Sequence, residues 1–334
     1  MVTARQNTPR FQQTDLVSIQ DLTPYDIDEI FDMARLLKSQ PSVFRGALAG
    51  KQFVMMFEKP SLRTRVTFEV GINNLGGRAI FMESPGGIEK REKISDVARN
   101  LERWVDGIIL RTFKHRTVTE MAANAGIPVI NGLTDLEHPC QALADYFTLR
   151  EKFGDLRKIK LAYVGDGNNV AHSLMLTAAA MGSHISVATP PEYLPDGGVV
   201  RAALKLAEST GAQVEITHDW RATVAGANAV YTDVWTSMGQ ENEAGQRGGD
   251  FRHYQVNGEM MAHAAEDALF MHCLPAHRGD EVTDEVIDSP TSVVFDQAEN
   301  RLHVQTAIMV LLASSAGSGK PAASHAEFSA RTWA

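Results

Sequence analysis

The chain has 334 residues, of which 44% are hydrophobic and 22% charged, and a formal net charge of −9; this length and composition predict a globular protein with two domains. The negative charge argues against a nucleic-acid partner, which needs clustered lysine and arginine, and no apolar run approaches the ~20 residues that span a bilayer, so no membrane partner is expected. Only two cysteines are present, Cys140 and Cys273, which argues against a disulfide framework and favours the cytoplasm.

Short apolar runs alternate with helical patterns along most of the chain. A first helix is predicted at 24–38. Strands are predicted at 52–57, 78–82, 107–110, 127–131, 160–164, 184–188, 213–217, 229–232, 269–272 and 292–296, and helices between them at 64–75, 95–104, 136–151, 171–181, 199–210 and 300–312. This alternation predicts an α/β fold with two doubly wound parallel-sheet domains joined by interdomain helices.

The best domain boundary is the polar segment 152–158, which follows the long helix predicted at 136–151. The first domain is therefore predicted at 1–150 and the second at 151–298. We expect the last helix, at about 299–313, to pack back on the first domain. The stretch 314–334, rich in Ala, Ser and Gly, shows no core-facing pattern and is predicted to be a flexible tail.

The first motif with chemical potential is FEKPSLRTR, at 57–65, where a predicted strand gives way to a helix. Several backbone N–H groups have no partner within the helix at such a point, and the helix dipole favours an anion. Arg63 and Arg65 add forked donors suited to phosphate or carboxylate. A lone motif of this kind is more often an ordinary capped helix with solvated arginines, so the motifs that follow decide its interpretation.

The second motif, HPCQ at 138–141, places His138 and Gln141 one helical turn apart and facing the same way. Together they could hold a planar group that presents both a carbonyl oxygen and an amide. Alternatively, they merely cap the helix.

Two further motifs also follow predicted strands. In HCLP, at 272–275, the thiol of Cys273 lies beside a histidine and could act as a nucleophile or a proton acceptor; the commoner fate of such a cysteine is a buried small hydrophobe. In DVWTSMG, at 233–239, Asp233 and Ser237 could hold an ammonium group, and the alternative is a surface loop.

The four motifs together resemble those of the carbamoyltransferases, and within them the ornithine-specific members. FEKPSLRTRVTFEVGINNLGG is similar to the carbamoyl-phosphate motif of that family and HPCQALAD to its HPxQ motif, while DVWTSMGQE and MHCLPAHRGDEVTDEV resemble its ornithine loop and HCLP motif. The resemblance covers about 21–312. The last two motifs argue against the aspartate branch and, less firmly, against the acetylornithine and putrescine branches.

The resemblance implies transfer of the carbamoyl group of carbamoyl phosphate to the δ-amine of L-ornithine, giving L-citrulline and phosphate in arginine metabolism, without cofactor or metal. The implied catalytic residues are Cys273, Arg111 and His138. Carbamoyl phosphate would be bound by Ser61, Leu62, Arg63, Thr64, Arg111, His138, Gln141 and Arg301. Ornithine would be bound by Asn169, Asp233, Ser237, Met238, Cys273 and Leu274. A nearby thiolate or aspartate would help to remove the δ-ammonium proton.

The sequence departs from the family pattern at Leu62, which stands where the commonest version has threonine, so only its backbone N–H is expected to contribute. The segment 84–91 occupies the place of a loop that in the family reaches the site of a neighbouring subunit. The resemblance therefore implies a homotrimer or a multiple of trimers. It leaves open whether the enzyme works in arginine synthesis or breakdown.

Two other interpretations start from single motifs. GDGNNV, at 165–170, lies between a strand and a helix and could indicate an NAD-dependent dehydrogenase, but Val170 stands at the place of the third glycine and no acidic residue ends the next strand. His272 and Cys273 could suggest zinc, but a second Cys or His pair at ligand spacing is missing.

Overall fold

A computed structural model of the chain describes residue 11, residues 13–236 and residues 241–315. Within these ranges the chain forms two separate parallel sheets, one in each half, with helices packed on them, which confirms the predicted fold class. Among the described helices, none combines the length and apolar character needed to cross a membrane.

The first half contains a four-stranded sheet. Its elements are α1 (Pro24–Ser39), β1 (Gln52–Phe57), α2 (Leu62–Asn74), β2 (Arg78–Glu83), α3 (Ile94–Leu101), β3 (Gly107–Arg111), α4 (His115–Asn124), β4 (Val129–Leu133) and α5 (Pro139–Phe153). The strand order is β2-β1-β3-β4. β1 is buried at every position after its first residue, as expected for a parallel strand covered on both faces.

The second half contains a five-stranded sheet in the order β7-β6-β5-β8-β9. Its elements are β5 (Lys160–Val164), α6 (Asn169–Met181), β6 (His184–Ala188), α7 (Gly197–Thr210), β7 (Gln213–Thr217), α8 (Trp220–Val224), β8 (Ala229–Thr232), α9 (Ala244–Asp250), α10 (Gly258–Met261), β9 (Leu269–His272), α11 (Asp284–Ile287) and α12 (Val294–Ser315). The chain leaves β5 for β6 on one side and later returns to β8 on the other, so the strand order reverses between β5 and β8. The same reversal occurs between β1 and β3 in the first sheet.

The last helix joins the two halves. α12 follows the second sheet and packs against α1, α2 and α5 of the first half. One apolar cluster runs through this junction and contains, for example, Phe68 of α2, Phe147 of α5, Leu174 of α6 and Ile308 of α12. Because this core is shared, side chains from both halves are held in fixed positions at the boundary between the two sheets.

Several predicted element bounds were wrong in detail. The strand predicted at 292–296 is a single bridge between Ser292 and Phe270, after which α12 begins at Val294, six residues earlier than predicted. The strand predicted at 127–131 is β4, Val129–Leu133, because Pro128 cannot donate a ladder hydrogen bond. Residues 314 and 315 belong to α12 instead of a tail, and the rest of the predicted tail lies outside the described residues.

Candidate active site

A cavity of about 310 Å³ lies between the carboxyl ends of the strands of both sheets. Twelve of the predicted site residues line it: Ser61, Leu62, Arg63, Thr64, Arg111, His138, Gln141, Asn169, Asp233, Cys273, Leu274 and Arg301. The other two, Ser237 and Met238, lie outside the described residues. The strand order of each sheet reverses beside this cavity. In open α/β sheets, ligands bind at the carboxyl ends of the strands at such a reversal.

The start of α2 forms one wall of the cavity. Ser61 is the N-cap, and its hydroxyl accepts a hydrogen bond from the backbone N–H of Thr64 at 3.3 Å. Leu62 is 74% exposed, so at this wall it offers its backbone and not a packed side chain. The first turn of a helix leaves N–H groups without helical partners, and this turn faces a cavity that also contains Arg63.

Four cationic side chains line the same cavity: Lys59, Arg63, Arg111 and Arg301. Burial is the largest cause that lowers the pKa of all four. Repulsion from neighbouring arginines adds to it for Lys59, Arg111 and Arg301. The pKa of Arg111 falls to about 10 through burial and its neighbours Arg301 and Arg63. The pKa of Lys59 falls to about 8 through burial and Arg111. An anion in the cavity would relieve this repulsion, so the site is electrostatically prepared for one. Sequence reasoning missed Lys59, although it stands within the first motif.

Arg111 owes its position to an irregularity in the sheet. The register between β3 and β4 shifts after Leu110, so that Arg111 pairs with Leu133 and Gly132 becomes an extra residue. A Cβ atom on Gly132 would lie 2.9 Å from the carbonyl oxygen of Leu110. The bulge therefore needs glycine, and such bulges commonly redirect a side chain next to a site.

His138 is the N-cap residue of α5 and lines the cavity. Its backbone N–H donates to Ser173 Oγ at 2.9 Å, and its buried Nδ1 has no hydrogen-bond partner within the described part of the chain. Burial, followed by the charges of Arg301 and Arg111, lowers its pKa well below 6.5. The imidazole is therefore neutral at pH 7. It can donate an N–H to a ligand without adding a positive charge to those of the four cationic side chains.

Arg301 joins three helices beneath the cavity. Its Nη1 donates to Gln141 Oε1 on α5, and its Nη2 donates to Thr64 Oγ1 on α2 at 3.1 Å. The residue lies on α12, the helix that returns from the second half. The first and second motifs are thus connected through a residue that follows them by more than 150 positions.

The opposite wall carries a carboxylate and a thiol. Asp233 follows β8 and accepts hydrogen bonds from Cys273 Sγ at 2.9 Å and from Asn168 Nδ2 at 2.8 Å. Burial, together with the charge of Asp233, raises the pKa of Cys273 well above 9.0. The sulfur is therefore a protonated donor to the Asp233 carboxylate, which disfavours the thiolate alternative. The amide of Asn169 is held by the carbonyl of Thr134.

The turn that carries Leu274 is fixed by a buried pair. Leu274 has a φ of 57°, and its backbone N–H donates to Nδ1 of His272 at 2.8 Å. Because Nδ1 accepts, Nε2 carries the hydrogen and donates to Glu281 Oε1 at 3.2 Å. A leucine in the left-handed region is costly and is typical of functional sites. The carbonyl of Leu274 is consequently presented in one orientation.

The two single-motif interpretations can be compared with this geometry. Asp233, His272 and Cys273 bring potential metal-binding atoms within 4.8 Å of one another, but both ring nitrogens of His272 are already hydrogen-bonded. The glycine loop after β5 is covered by the chain itself: Gly167 donates to the carbonyl of Tyr193, and a Cβ on Gly167 would lie 2.3 Å from the nitrogen of Pro195. A dinucleotide pyrophosphate could not approach this loop, which argues against the dehydrogenase.

Comparison with known proteins covers nearly the whole described chain. Residues 14–151 match the aspartate/ornithine carbamoyltransferase carbamoyl-P binding domain, and residues 157–312 match the Asp/Orn binding domain of the same family. The ornithine carbamoyltransferase of Pyrococcus abyssi is 50% identical over 301 residues, which cover 89% of this chain and 95% of that protein. The enzyme of the same name from Carboxydothermus hydrogenoformans is 51% identical over 305 residues, which cover 90% and 98% of the two chains.

Solved structures agree in fold. The ornithine carbamoyltransferase from Pyrococcus furiosus aligns with a TM-score of 0.88 at 48% identity, over 91% of this chain and 98% of that one. A structure of an N-acetyl-L-ornithine transcarbamylase aligns with a TM-score of 0.81 at 32% identity, over 90% and 100% of the two chains. The sequence identity is thus higher to these three proteins named for ornithine than to the one named for N-acetyl-L-ornithine.

Proposed function

The chain belongs to the aspartate/ornithine carbamoyltransferase family, and from this membership we propose that it transfers the carbamoyl group of carbamoyl phosphate to the δ-amine of L-ornithine, giving L-citrulline and phosphate. The observation that carries the proposal is the single cavity with a cationic wall facing a carboxylate and a thiol. A doubly charged phosphate compound suits the first wall, and an ammonium group suits the second.

On the cationic wall, Arg63 and the N-terminal turn of α2 bind the phosphate. The backbone N–H of Leu62 and the hydroxyls of Ser61 and Thr64 belong to this turn, whereas the N–H of Thr64 donates to the Ser61 hydroxyl. Arg111 and His138 donate to the carbamoyl oxygen, and Arg301 lies beside the same substrate. Gln141 Oε1 accepts from the carbamoyl NH2. These roles are supported by the shared cavity and by the neutral state of His138, which lets it act as a donor at pH 7.

On the opposite wall, Asn169 and Asp233 bind the α-amino and α-carboxylate groups of ornithine. The family resemblance adds Ser237 and the backbone of Met238 to this role. Cys273 and the carbonyl of Leu274 lie near the δ-amine. Asp233 receives the δ-ammonium proton, directly or through water, since the Cys273 thiol remains protonated. The role of Asp233 is supported by its hydrogen bond from Cys273, which keeps the carboxylate directed toward the cavity.

The reaction then has a simple balance. The neutral δ-nitrogen attacks the carbamoyl carbon, a C–N bond forms, and charge grows on the carbonyl oxygen. The C–O bond to phosphate breaks, and the remaining excess proton of the nitrogen leaves with the phosphate. Fixed donors at such an oxygen are typically worth about 3–4 kcal/mol each, and two of them, Arg111 and His138, line the cavity here.

The two halves have separate tasks in this proposal. Residues 1–150 bind carbamoyl phosphate, residues 151–298 bind ornithine, and the last helix completes the first site through Arg301. This division is supported by the family models, whose boundary falls between residues 151 and 157, and by the packing of α12 against α1, α2 and α5.

We also propose a homotrimer or a multiple of trimers. The support is an apolar groove of about 850 Å³ beside the edge strand β2, lined by residues that include Ile80, Met82, Trp104 and the loop 84–91. Trp104 is 68% exposed in the single chain, and exposed apolar patches of this kind mark interfaces. Light scattering of the purified protein should give a multiple of three chain masses; a monomer or dimer would refute this assignment.

The proposed compartment is the cytoplasm, supported by two unpaired thiols. The proposed pathway is arginine biosynthesis, supported by a relative from Pyrococcus furiosus that is named as anabolic and is 49% identical over 301 residues.

The decisive experiment is an acceptor panel. With carbamoyl phosphate as donor, the purified protein is offered ornithine, acetylornithine, putrescine and aspartate, and each carbamoylated product is quantified. We expect the highest kcat/KM with ornithine. Preference for acetylornithine or putrescine would move the chain to another branch of the family, and no transfer to any amine would refute the activity.

A further inference from the structure

Beneath the cavity lies a buried carboxylate to which the proposed function assigns no role. Asp145 is on α5, one helical turn after Gln141, and is fully buried. Its Oδ1 accepts from Gln141 Nε2 at 2.8 Å and from Gln297 Nε2 at 2.9 Å, and its Oδ2 accepts from the hydroxyl of Tyr231 at 3.0 Å. Three neutral donors therefore converge on one carboxylate.

Each of the two glutamines lies between Asp145 and a group that can only donate. Gln141 Oε1 accepts from the guanidinium of Arg301, and Gln297 Oε1 accepts from the backbone N–H of His272 at 3.0 Å. A carboxylate only accepts, whereas a guanidinium and a backbone N–H only donate. Neither amide can rotate by 180° without placing a donor against a donor and an acceptor against an acceptor.

The consequence differs for the two glutamines. For Gln141, the amide oxygen is directed toward Arg301 and the cavity, which both residues line. For Gln297, the amide oxygen holds the backbone of His272, directly before Cys273. One buried charge thus orients an amide on the cationic wall and anchors the strand that leads to the opposite wall.

We infer that Asp145 is a positioning residue that fixes the amide of Gln141 with its oxygen toward the cavity, and so makes the site selective for a phosphate compound that carries an NH2 group. The inference rests on the proposed function, in which Gln141 accepts from the carbamoyl NH2. Without the carboxylate, Gln141 Nε2 has no acceptor and Arg301 alone holds the amide, so the amide oxygen is less firmly fixed toward the ligand. The preference of the site for an NH2 over a methyl group of similar size would then fall.

The test uses two stable ligands that differ only in this group. Phosphonoacetamide carries the amide NH2, and 2-oxopropylphosphonate has a methyl group in its place. Binding of each to the full-length protein is measured by calorimetry, for the wild type and for Asp145→Leu, which is close in size and removes both acceptor oxygens. Asp145→Asn is not suitable, because its remaining oxygen could still accept from both glutamines, which donate to Oδ1. We expect the wild type to bind phosphonoacetamide more tightly than 2-oxopropylphosphonate. In the variant, the ratio of the two dissociation constants should fall about tenfold, as expected for the loss of one buried hydrogen bond.

Tyr231→Phe is the matched control, because it removes a hydrogen bond from the other oxygen of Asp145 and leaves both glutamines in place. Its preference should stay within about twofold of the wild type. A general loosening of the core would weaken both ligands alike and leave their ratio unchanged. If Asp145→Leu does not fold, Asp145→Ala, which leaves space for water, is measured by the same ratio.

The outcomes separate this inference from the function beneath it. A variant at position 145 that keeps the wild-type ratio overturns the role of Asp145 while leaving the carbamoyl transfer untouched. A wild type that binds both ligands equally removes the role of Gln141 on which the inference rests. A wild type that carbamoylates no amine is evidence against the proposed function itself.

Discussion

The sulfur of Cys273 lies 2.9 Å from Oδ1 of Asp233, and the thiol donates to the carboxylate. The two residues directly follow neighbouring strands, β8 and β9, so their contact follows from the order of the second sheet. The arrangement makes the aspartate the base of the pair and keeps the cysteine protonated. The rate at which Cys273 is alkylated should therefore depend on the negative charge of Asp233.

We expect Cys273 to react with iodoacetamide at pH 7.5 more slowly than free cysteine does. Only the thiolate is nucleophilic, and burial together with Asp233 raises the pKa of this thiol well above 9.0. The rate is measured by mass spectrometry of the peptide that contains Cys273. The fully buried Cys140, whose pKa burial raises to about 12, serves as an unreactive internal reference.

Asp233→Asn distinguishes charge from poor access as the cause of slow alkylation. The substitution keeps the shape of the side chain but removes the negative charge, so the pKa of Cys273 should fall and its alkylation should accelerate. An unchanged rate in the variant would mean that access limits the reaction. A wild-type rate above that of free cysteine would contradict the protonated state directly.

Binding of carbamoyl phosphate should weaken as the pH rises from 7.5 to 9. In the unliganded protein, burial and Arg111 lower the pKa of Lys59 to about 8, and the protonated form favours a dianion. Below this pKa Lys59 is charged, and the association constant is at its maximum; above it the charge is lost, and the constant falls by up to about tenfold per pH unit. Calorimetry with the stable mimic phosphonoacetamide measures this slope.

Lys59→Met and Lys59→Arg are the paired controls for this pH dependence. The first variant should bind more weakly at pH 7.5 and show a shallower slope, because no charge is left to titrate at this position. The second keeps its charge throughout the range, so its slope should also be shallower. Should Lys59→Met retain the wild-type slope, another group causes the titration.

Arg63→Ala should lower kcat/KM by about 10²–10³ while leaving the fold intact, because it removes a partly buried charge from the anion site. Arg65→Ala is the matched control two residues later on α2. Arg65 pairs with Glu69 at 3.5 Å and stacks over the ring of Phe81 instead of lining the cavity. Its activity should remain within a few-fold of the wild type. Near-normal citrulline formation by Arg63→Ala would contradict the assignment.

The gathering of the motifs was predictable because each follows a strand of a parallel sheet. In such a sheet all carboxyl ends lie at one edge, so residues at the ends of β1, β3 and β4 meet in the first sheet and those after β5, β8 and β9 meet in the second, whatever their distance in sequence. Lys59 and Asn168 stand within or beside the motifs and were missed only because backbone patterns do not reveal which neighbour points inward.

Other features depend on tertiary contacts that no local pattern contains. The run around Val293 and Val294 reads as a strand, but short apolar runs do not distinguish strand from helix, and only Ser292 bridges to β9 before α12 begins. The support that Asp145 gives to Gln141 and Gln297 joins residues on α5 and α12. Such pairs become visible only when the helices are packed.

The last prediction concerns Glu58, which holds the loop 84–91 in position. This residue follows β1, and its carboxylate accepts from the backbone N–H of Ile88 and from that of Phe113, each at 2.8 Å. One side chain thus ties the loop to the segment that follows Arg111. In Glu58→Gln the amide can accept at one end only, so one of the two backbone hydrogen bonds should be lost.

Hydrogen exchange with peptide resolution should therefore show faster exchange at Ile88 or Phe113 in Glu58→Gln, and KM for carbamoyl phosphate should rise by about three- to tenfold. Glu83→Gln, at the exposed end of β2, is the control and should alter neither quantity. Faster exchange with an unchanged KM would mean that the loop position does not matter for the first substrate. Unchanged exchange at both amides would mean that contacts other than Glu58 hold the loop in place.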